Sequence, residues 1–160
     1  MKKAITLTLI ILFLFLFTGC AARYRNVSLV KIGNIEEIFL KNLNSDFGYC
    51  DVSEYYKSNY FSEVEQLKEC KIFTSNESTN FDEFGIFEFE NERHAKKAKN
   101  TLKNYLRSTK TEFENGIIYD VTEYPKFESA RVETFGNYLV YAILEDEIIE
   151  KIFAEIDKTT

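Results

Sequence analysis

The chain has 160 residues, with 26 acidic residues against 20 basic ones and a formal net charge of −6. This length is typical of one compact domain and is too short for two lobes that close around a ligand, which argues against a transporter's solute receptor. The acidic balance argues against a general nucleic-acid binder. Fifteen Phe and ten Tyr without any Trp predict a core built largely from aromatic rings.

The first 19 residues have the order of an export signal. Two lysines precede an uncharged apolar run from Ala4 to Phe17, and small residues follow it. The run fits the roughly 7 to 15 residues of a signal peptide and falls short of the ~20 that span a bilayer. An uncleaved anchor over residues 4–22 is the alternative, but it would leave two arginines on the exported side, against the positive-inside tendency. Either interpretation places the rest of the chain outside the cytoplasmic membrane.

The residues that follow this run indicate how the protein is attached. The tetrapeptide FTGC at 17–20 resembles the lipobox of bacterial lipoproteins, in which the cysteine thiol is acylated and the signal is cut before it. The sequence therefore predicts a signal peptide over residues 1–19, a lipidated Cys20 with its tether over 20–30, and one domain over 31–160. Two acyl chains are sufficient for stable anchoring, because each buried methylene contributes ~0.8 kcal/mol.

The first half of the domain predicts helices followed by two strands. Asn34 caps a helix of about three turns, with Glu37 three residues on as in a capping box. The apolar spacing over Ser53–Glu69 indicates a second helix. Cys70–Thr74 and Phe84–Phe89 are typical of strands separated by a polar turn, which predicts a hairpin.

The strongest helix signal follows Asn91, a suitable cap, and ends at Asn115 and Gly116. Residues 117–121 are predicted to be extended or a short edge strand, and Pro125 starts a single helical turn. The apolar residues of this helix fall on one stripe: Ala95, Ala98, Leu102, Tyr105, Leu106 and Phe113.

The clearest local signal is a hairpin with Gly136 and Asn137 at its turn, a pair suited to positive φ. The following run, Tyr138 to Leu144, is almost continuously apolar, which predicts a central strand. Asp146 then caps a closing helix. The sequence predicts an α+β fold, with a small antiparallel sheet of about four strands and helices mainly on one face, in the order helix, ββα, ββα.

These segments resemble a known class of protein. The lipobox, the strand FDEFGIFEF with its charged helix, and the hairpin FGNYLVYAILED are similar to small bacterial lipoproteins whose domain is catalogued as one of unknown function. The resemblance covers most of the stretch from Asp82 to Asp146. It implies an envelope domain of ββαββα type and brings no activity with it.

Two further cysteines, Cys50 and Cys70, leave two alternatives open. In an exported chain they can form a disulfide that closes a loop of about 20 residues and contributes roughly 3 kcal/mol. They can equally be two buried thiols. No metal site is predicted, because His94 is the only histidine and no CxxC pair accompanies it.

The sequence predicts no catalytic residue and no cofactor. His94 is the only histidine available as a base and lies in the first turn of a helix, and no GxSxG motif occurs. Paired acids such as Asp82 with Glu83, and those at 145–147, are explained as helix caps and solvated faces. Phosphate-binding glycine motifs and calcium loops are absent from the sequence. An envelope hydrolase with an unrecognised carboxylate-based site is the alternative.

One surface feature remains. Seven cations project from the face of the helix after Asn91 that lies away from the apolar stripe. They are Arg93, Lys96, Lys97, Lys99, Lys103, Arg107 and Lys110. They indicate a surface for an envelope protein, an anionic polymer or lipid head groups, although an exposed face that balances nearby acids has the same pattern. The predicted function is a lipid-anchored envelope module on the exported side of the cell membrane, with a non-catalytic binding or accessory role.

Overall fold

A computed structural model describes residues 30–117 and 121–160, so the predicted signal peptide and Cys20 lie outside the described residues. The strands are β1 (Tyr49–Asp51), β2 (Leu67–Ser75), β3 (Glu83–Phe89), β4 (Arg131–Phe135) and β5 (Tyr138–Ile143). The α-helices are α1 (Ile32–Asn42), α2 (Ser53–Asn59), α3 (Glu92–Glu112), α4 (Tyr124–Ser129) and α5 (Asp146–Thr159). None of these helices is long and apolar enough to cross a bilayer.

The five strands form one antiparallel sheet in the order β1-β2-β3-β5-β4. Strands β2 and β3 form one hairpin, and β4 and β5 form the other. The two hairpins meet where β3 pairs with β5. The second hairpin turns at Gly136, whose φ of 58° favours glycine. The α+β class and this hairpin are confirmed.

Helices cover both faces of the sheet, whereas the sequence predicted them mainly on one. The terminal-helix face, covered by α1 and α5, buries side chains such as Phe84, Ile86 and Val140 against those helices. The opposite face, which we call the tyrosine face, is covered by α2, α3 and α4 and buries side chains such as Phe87 and Tyr141. Alternate residues of β3 and β5 point to opposite faces, and both sets are mainly apolar, so each face needs its own cover.

The sheet has a fifth strand, β1, where about four strands were predicted. The helix predicted over Ser53–Glu69 ends at Asn59, and the chain is already in β2 from Leu67. Gln66, just before that strand, has a φ of 60°, which no helix accommodates. Apolar spacing over a short segment does not separate these two structures.

Helix starts differ from prediction in detail. Asn91 caps α3, its side-chain oxygen accepting the His94 N–H at 3.1 Å, as predicted. Asn34 is the third residue of α1 and not its cap, and its side chain accepts the Lys31 N–H at 3.0 Å. Asp146 is the first residue of α5, and the cap position belongs to Glu145.

The segment after α3 also differs from prediction. A wide turn over Phe113–Ile117 follows the helix, with Gly116 at a φ of 77°. Residues 118–120 lie outside the described part of the chain. Of the segment predicted to be extended over residues 117–121, Ile117 lies in the wide turn and Val121 starts a 3₁₀ turn over Val121–Glu123. The helical turn around Pro125 is confirmed as α4.

Candidate functional site

A buried carboxylate lies under the helices of the tyrosine face. Glu83 is the first residue of β3, and the alternation of the strand places its side chain on the same face as Phe87 and Phe89. Only 7% of its surface is exposed. A buried carboxylate needs hydrogen-bond partners to offset its lost hydration.

Three tyrosines supply those partners. The hydroxyls of Tyr141 and Tyr105 donate to Glu83 Oε1 at 2.6 and 2.7 Å, and the hydroxyl of Tyr56 donates to Oε2 at 2.9 Å. The donors come from β5, α3 and α2, so the cluster ties two helices to the sheet. A carboxylate has about four acceptor positions. Among the described residues, three are filled, which leaves one at Oε2.

Burial raises the pKa of Glu83 above its ordinary value of 4.5, and the three tyrosine hydrogen bonds oppose that rise. Burial, followed by the nearby Glu83 charge, raises the pKa of each of Tyr56, Tyr105 and Tyr141. The tyrosines therefore remain protonated donors at neutral pH. The carboxylate is held in one orientation by groups that do not ionise.

Gly85 makes the cluster sterically feasible. It lies opposite Tyr141 in the β3–β5 register, on the same face as Glu83. A Cβ at Gly85 would lie 2.1 Å from Tyr141 Cε1. The missing side chain lets the Tyr141 ring cross over β3, and its hydroxyl then reaches the carboxylate two residues away.

Glu83 lines a pocket of about 210 Å³ between α2, α3, α4 and the sheet. The second acid in its lining is Glu112, which is exposed. None of the described residues that line it is basic. Five aromatic residues contribute to the walls: Tyr56, Tyr60, Phe81, Tyr105 and Phe127.

The aromatic rings of the pocket brace one another. The Tyr60 ring centroid lies 5.1 Å from that of Tyr56 and 5.5 Å from that of Tyr105, while Phe81 and Phe127 lie 6.1 Å apart. Such spacing is typical of favourable aromatic contacts. Tyr60 is 51% exposed, so the pocket has an apolar wall that reaches the solvent.

A second polar cluster lies beside the first and has a different composition. The ammonium of Lys126 lies 2.7 Å from Asp82 Oδ1 and 2.6 Å from Glu123 Oε2. Asp82 also accepts from the Tyr49 hydroxyl, and Glu123 from the Phe81 N–H, both at 2.9 Å. Although burial alone lowers the pKa of Lys126, its two carboxylate partners raise it overall. The cluster has one cation between two carboxylates, and it connects α4 to the residue before β3.

The predicted basic face of α3 is only partly free. Lys96 pairs with Glu92, Lys97 with Glu65, and Lys110 with Glu114 and Glu128. Four cations have no ion pair with any residue in the described ranges. We call these four the basic row: Arg93, Lys99, Lys103 and Arg107. At roughly 100° per residue, its last three members lie on the flank of α3 opposite the pocket residues Tyr105, Ser108 and Glu112.

His94 has no catalytic partner in the described structure. Its Nδ1 lies 3.9 Å from Glu90 Oε2, beyond hydrogen-bond distance, and it is buried without another partner there. An open groove of about 700 Å³ beside it is lined by charged residues of both signs, among them Glu65 and Lys97. Within residues 30–117 and 121–160, no group of three His, Cys, Asp or Glu is placed to hold a metal.

Cys50 and Cys70 are both free thiols. Cys50 lies opposite Thr74 in the β1–β2 register, four residues along β2 from Cys70. That offset corresponds to roughly 13 Å, whereas bridged Cα atoms lie no more than about 7 Å apart. Cys50 Sγ instead donates to Asn76 Oδ1 at 2.6 Å, and Cys70 packs in the core.

The sequence alone does not reveal the Glu83 cluster. Asp82 and Glu83 are adjacent acids among the 26 of the chain, and the spacing of Tyr105 places it in the apolar stripe of its helix. A usable signal was present, since strand alternation places Glu83 on one face with Phe87 and Phe89. An acid in register with buried rings points to an internal carboxylate.

Comparison with curated proteins and with solved structures gave no match. The family model described as "Domain of unknown function (DUF4358)" matches residues 50–144, more than half of the chain. This range contains Glu83, its three tyrosine donors and all the described residues that line the pocket. The chain therefore belongs to the DUF4358 family.

Proposed function

We propose that this protein is a lipid-anchored module on the exported side of a bacterial cell membrane, which binds a small ligand in the tyrosine-lined pocket without transforming it. The observation that carries the proposal is Glu83, a buried carboxylate fixed by three tyrosines in the wall of an open pocket. Pockets with apolar walls and a few oriented polar groups are the usual form of a ligand site.

Binding is favoured over catalysis by what lies around the carboxylate. Three hydroxyls already occupy Glu83, and the lining among the described residues contains no histidine, cysteine or lysine to serve as base or nucleophile. The Thr109 hydroxyl donates to the Tyr105 carbonyl at 3.0 Å. The groups present fix a carboxylate, and none is paired for nucleophilic attack.

Hydrolysis is the second candidate function, and one observation favours it. Glu83 has a raised pKa and lies in a pocket, which is the usual setting of a general acid. A panel of ester, amide and glycoside substrates tests this candidate. Glu133, an exposed acid on β4, provides the control. If turnover disappears in Glu83→Gln and persists in Glu133→Gln, the proposed function becomes catalysis and no longer binding alone.

The anchor is supported by the FTGC motif, and the partner surface by the basic row. On this proposal, Cys20 holds the domain at the membrane, and the free cations of α3 face an acidic envelope protein or an anionic polymer. The pocket occupies the other flank of α3. One helix then carries two separate binding surfaces.

Crosslinking in intact cells, followed by mass spectrometry of the tagged full-length protein, tests the anchor and the partner together. We expect capture of a discrete envelope component by the natural chain and its loss in Cys20→Ala. Equal capture by Cys20→Ala would remove the anchor from the proposal.

A charge-reversal pair tests the surface. Lys99→Glu with Lys103→Glu removes unpaired cations, whereas Lys96→Glu with Lys97→Glu makes the same charge change at paired positions of the same helix. We expect the first variant to lose capture and the second to retain most of it. Equal losses would show dependence on net charge alone and contradict the basic row as a specific surface.

A further inference from the structure

We infer that the ligand of the tyrosine-lined pocket is a primary ammonium group carried on a short apolar stem. This inference rests on the proposed function, since it names the chemical class that the same pocket binds. Four features of the pocket support it: the sign of its charges, the free acceptor position, the aromatic walls and the size.

The charges of the pocket select a cation. Glu83 and Glu112 both line it, and no described residue in the lining carries a positive charge. The neighbouring Asp82 has Lys126 as its internal counter-ion, whereas Glu83 has only neutral donors. An anionic ligand would be repelled here, and a cation would supply the missing counter-charge to a carboxylate shielded from water.

The free acceptor position selects a cation that donates hydrogen bonds. Among the described residues, two tyrosines occupy Glu83 Oε1 and one occupies Oε2, which leaves one position at Oε2. A primary ammonium has three donors and can fill it with a charge-assisted hydrogen bond. A quaternary ammonium has no donor and would leave the position empty.

The walls and the volume select a small, partly apolar molecule. Tyr60, Phe81 and Phe127 provide ring surface for an aliphatic stem, and aromatic faces also attract ammonium groups. The volume of about 210 Å³ is below the ~300 Å³ at which drug-sized pockets begin. A hard metal ion fits poorly, because calcium takes six to eight oxygen ligands and the described lining has only two carboxylates.

The test uses full-length protein in maltoside micelles, labelled with ¹³C in its tyrosine rings and glutamate carboxyls. Butylammonium is titrated to high millimolar concentration, because so small a fragment is expected to bind weakly. Neutral butanol, anionic butyrate and tetramethylammonium serve as matched probes. We expect butylammonium alone to saturate, to shift the Tyr60 and Tyr105 signals, and to lower the pH at which the Glu83 carboxyl titrates.

Variants locate the contact. Glu83→Gln keeps the size of the side chain and an acceptor oxygen but loses the charge, so butylammonium should bind at least about tenfold more weakly. Glu133→Gln removes an exposed acid from β4, outside the pocket, and should bind like the natural protein. Unchanged affinity in Glu83→Gln would overturn the inference.

The other outcomes separate the two proposals. If butanol or butyrate saturates the pocket at least as tightly as butylammonium, the ammonium class is overturned and the proposed binding function stands. If tetramethylammonium binds as tightly as butylammonium, the ligand needs no hydrogen-bond donor, and the inference of a primary ammonium is overturned. If no probe perturbs the pocket tyrosines, both the ligand class and the proposed binding site are overturned.

Discussion

The two faces of the sheet bury similar kinds of apolar residue but differ in polar content. On the terminal-helix face, α1 and α5 cover aliphatic and aromatic side chains, and the buried Tyr138 donates its hydroxyl to the Val30 carbonyl. On the tyrosine face, a buried carboxylate and its hydroxyl donors lie within the core. The terminal-helix face contributes mainly apolar burial and the Tyr138 hydrogen bond, whereas the tyrosine face includes a carboxylate that burial disfavours, and the pocket lies on that second face.

The family match also separates the helices of the tyrosine face from those of the terminal-helix face. Residues 50–144 contain the helices of the tyrosine face and all of the sheet except the first residue of β1. They exclude α1 and α5, the two helices that cover the other face. The matched segment contains the candidate site and lacks half of the cover that its sheet needs.

Truncation to residues 50–144 should have the largest effect. Removing α1 and α5 exposes Phe84, Ile86 and Val140, which are fully buried in the intact protein. Each such side chain contributes roughly 1.5 to 3 kcal/mol, so the loss approaches the entire stability of a typical domain, about 5 to 15 kcal/mol. We expect no cooperative unfolding transition by circular dichroism. A matched fragment of residues 30–160 should retain one, and a folded 50–144 fragment would show that the terminal helices are dispensable.

Lys126→Met should have the next largest effect. The substitution leaves the buried Asp82 and the half-buried Glu123 without their cation, and breaking a buried ion pair in this way costs about 3 to 5 kcal/mol. Urea unfolding at neutral pH measures it. Lys71→Met removes the ammonium of a more exposed pair with Asp51 and should cost a small fraction of that. If the two variants lose similar amounts of unfolding free energy, the ion pairs of Lys126 do not stabilise the tyrosine face more than an exposed pair does.

Two Gly→Ala substitutions compare the faces directly. Gly85→Ala places a Cβ 2.1 Å from the Tyr141 ring, and overpacking of this kind costs about 1 to 3 kcal/mol. Gly33→Ala on α1 meets no atom within 4 Å and should stabilise by up to ~1 kcal/mol, because alanine favours the helix. Thermal unfolding should shift in opposite directions. A neutral Gly85→Ala would show that Tyr141 has room to move away from the carboxylate.

The smallest effect is expected from Glu83→Gln, and it concerns pH. The folded protein holds the Glu83 proton more tightly than the unfolded chain does, because burial raises the folded pKa above 4.5. This contribution to stability is complete below pH 4.5 and is lost as pH rises through the raised folded pKa. Glu83→Gln should lack that decline and gain stability relative to the natural protein as pH increases. Parallel pH profiles of unfolding free energy for the two proteins would contradict a raised pKa.

Local chemistry explains which parts of the fold were predictable. Asn91 has a side chain that caps α3, and Gly136 occupies a turn with positive φ, so short stretches of sequence specify both features. Strand β1 has only three residues, too few for an alternating pattern. Strand β2 begins at Leu67, three residues before the predicted strand, because the positive φ of Gln66 has no sequence signal comparable to that of glycine.

Long-range placement explains what the sequence did not predict. Periodicity identifies the apolar stripe of a helix but not the sheet face that the stripe covers. The sequence therefore does not show whether the helices lie on one face of the sheet or on both. The Glu83 site also depends on contacts between residues that are distant in the sequence. Its tyrosine donors lie 27, 22 and 58 residues from it along the chain, and only the folded sheet brings them together.

The hydrogen bond between Tyr138 and Val30 has a mechanical consequence. Val30 lies two residues before the start of α1, and Tyr138 belongs to β5, an interior strand of the sheet. A pulling force applied to the residues before Val30 would reach this bond and α1 before any element of the tyrosine face. Because α1 covers Phe84 through the stacked ring of Phe39, this hydrogen bond would protect the sheet, and with it the pocket, against force applied at that end of the chain.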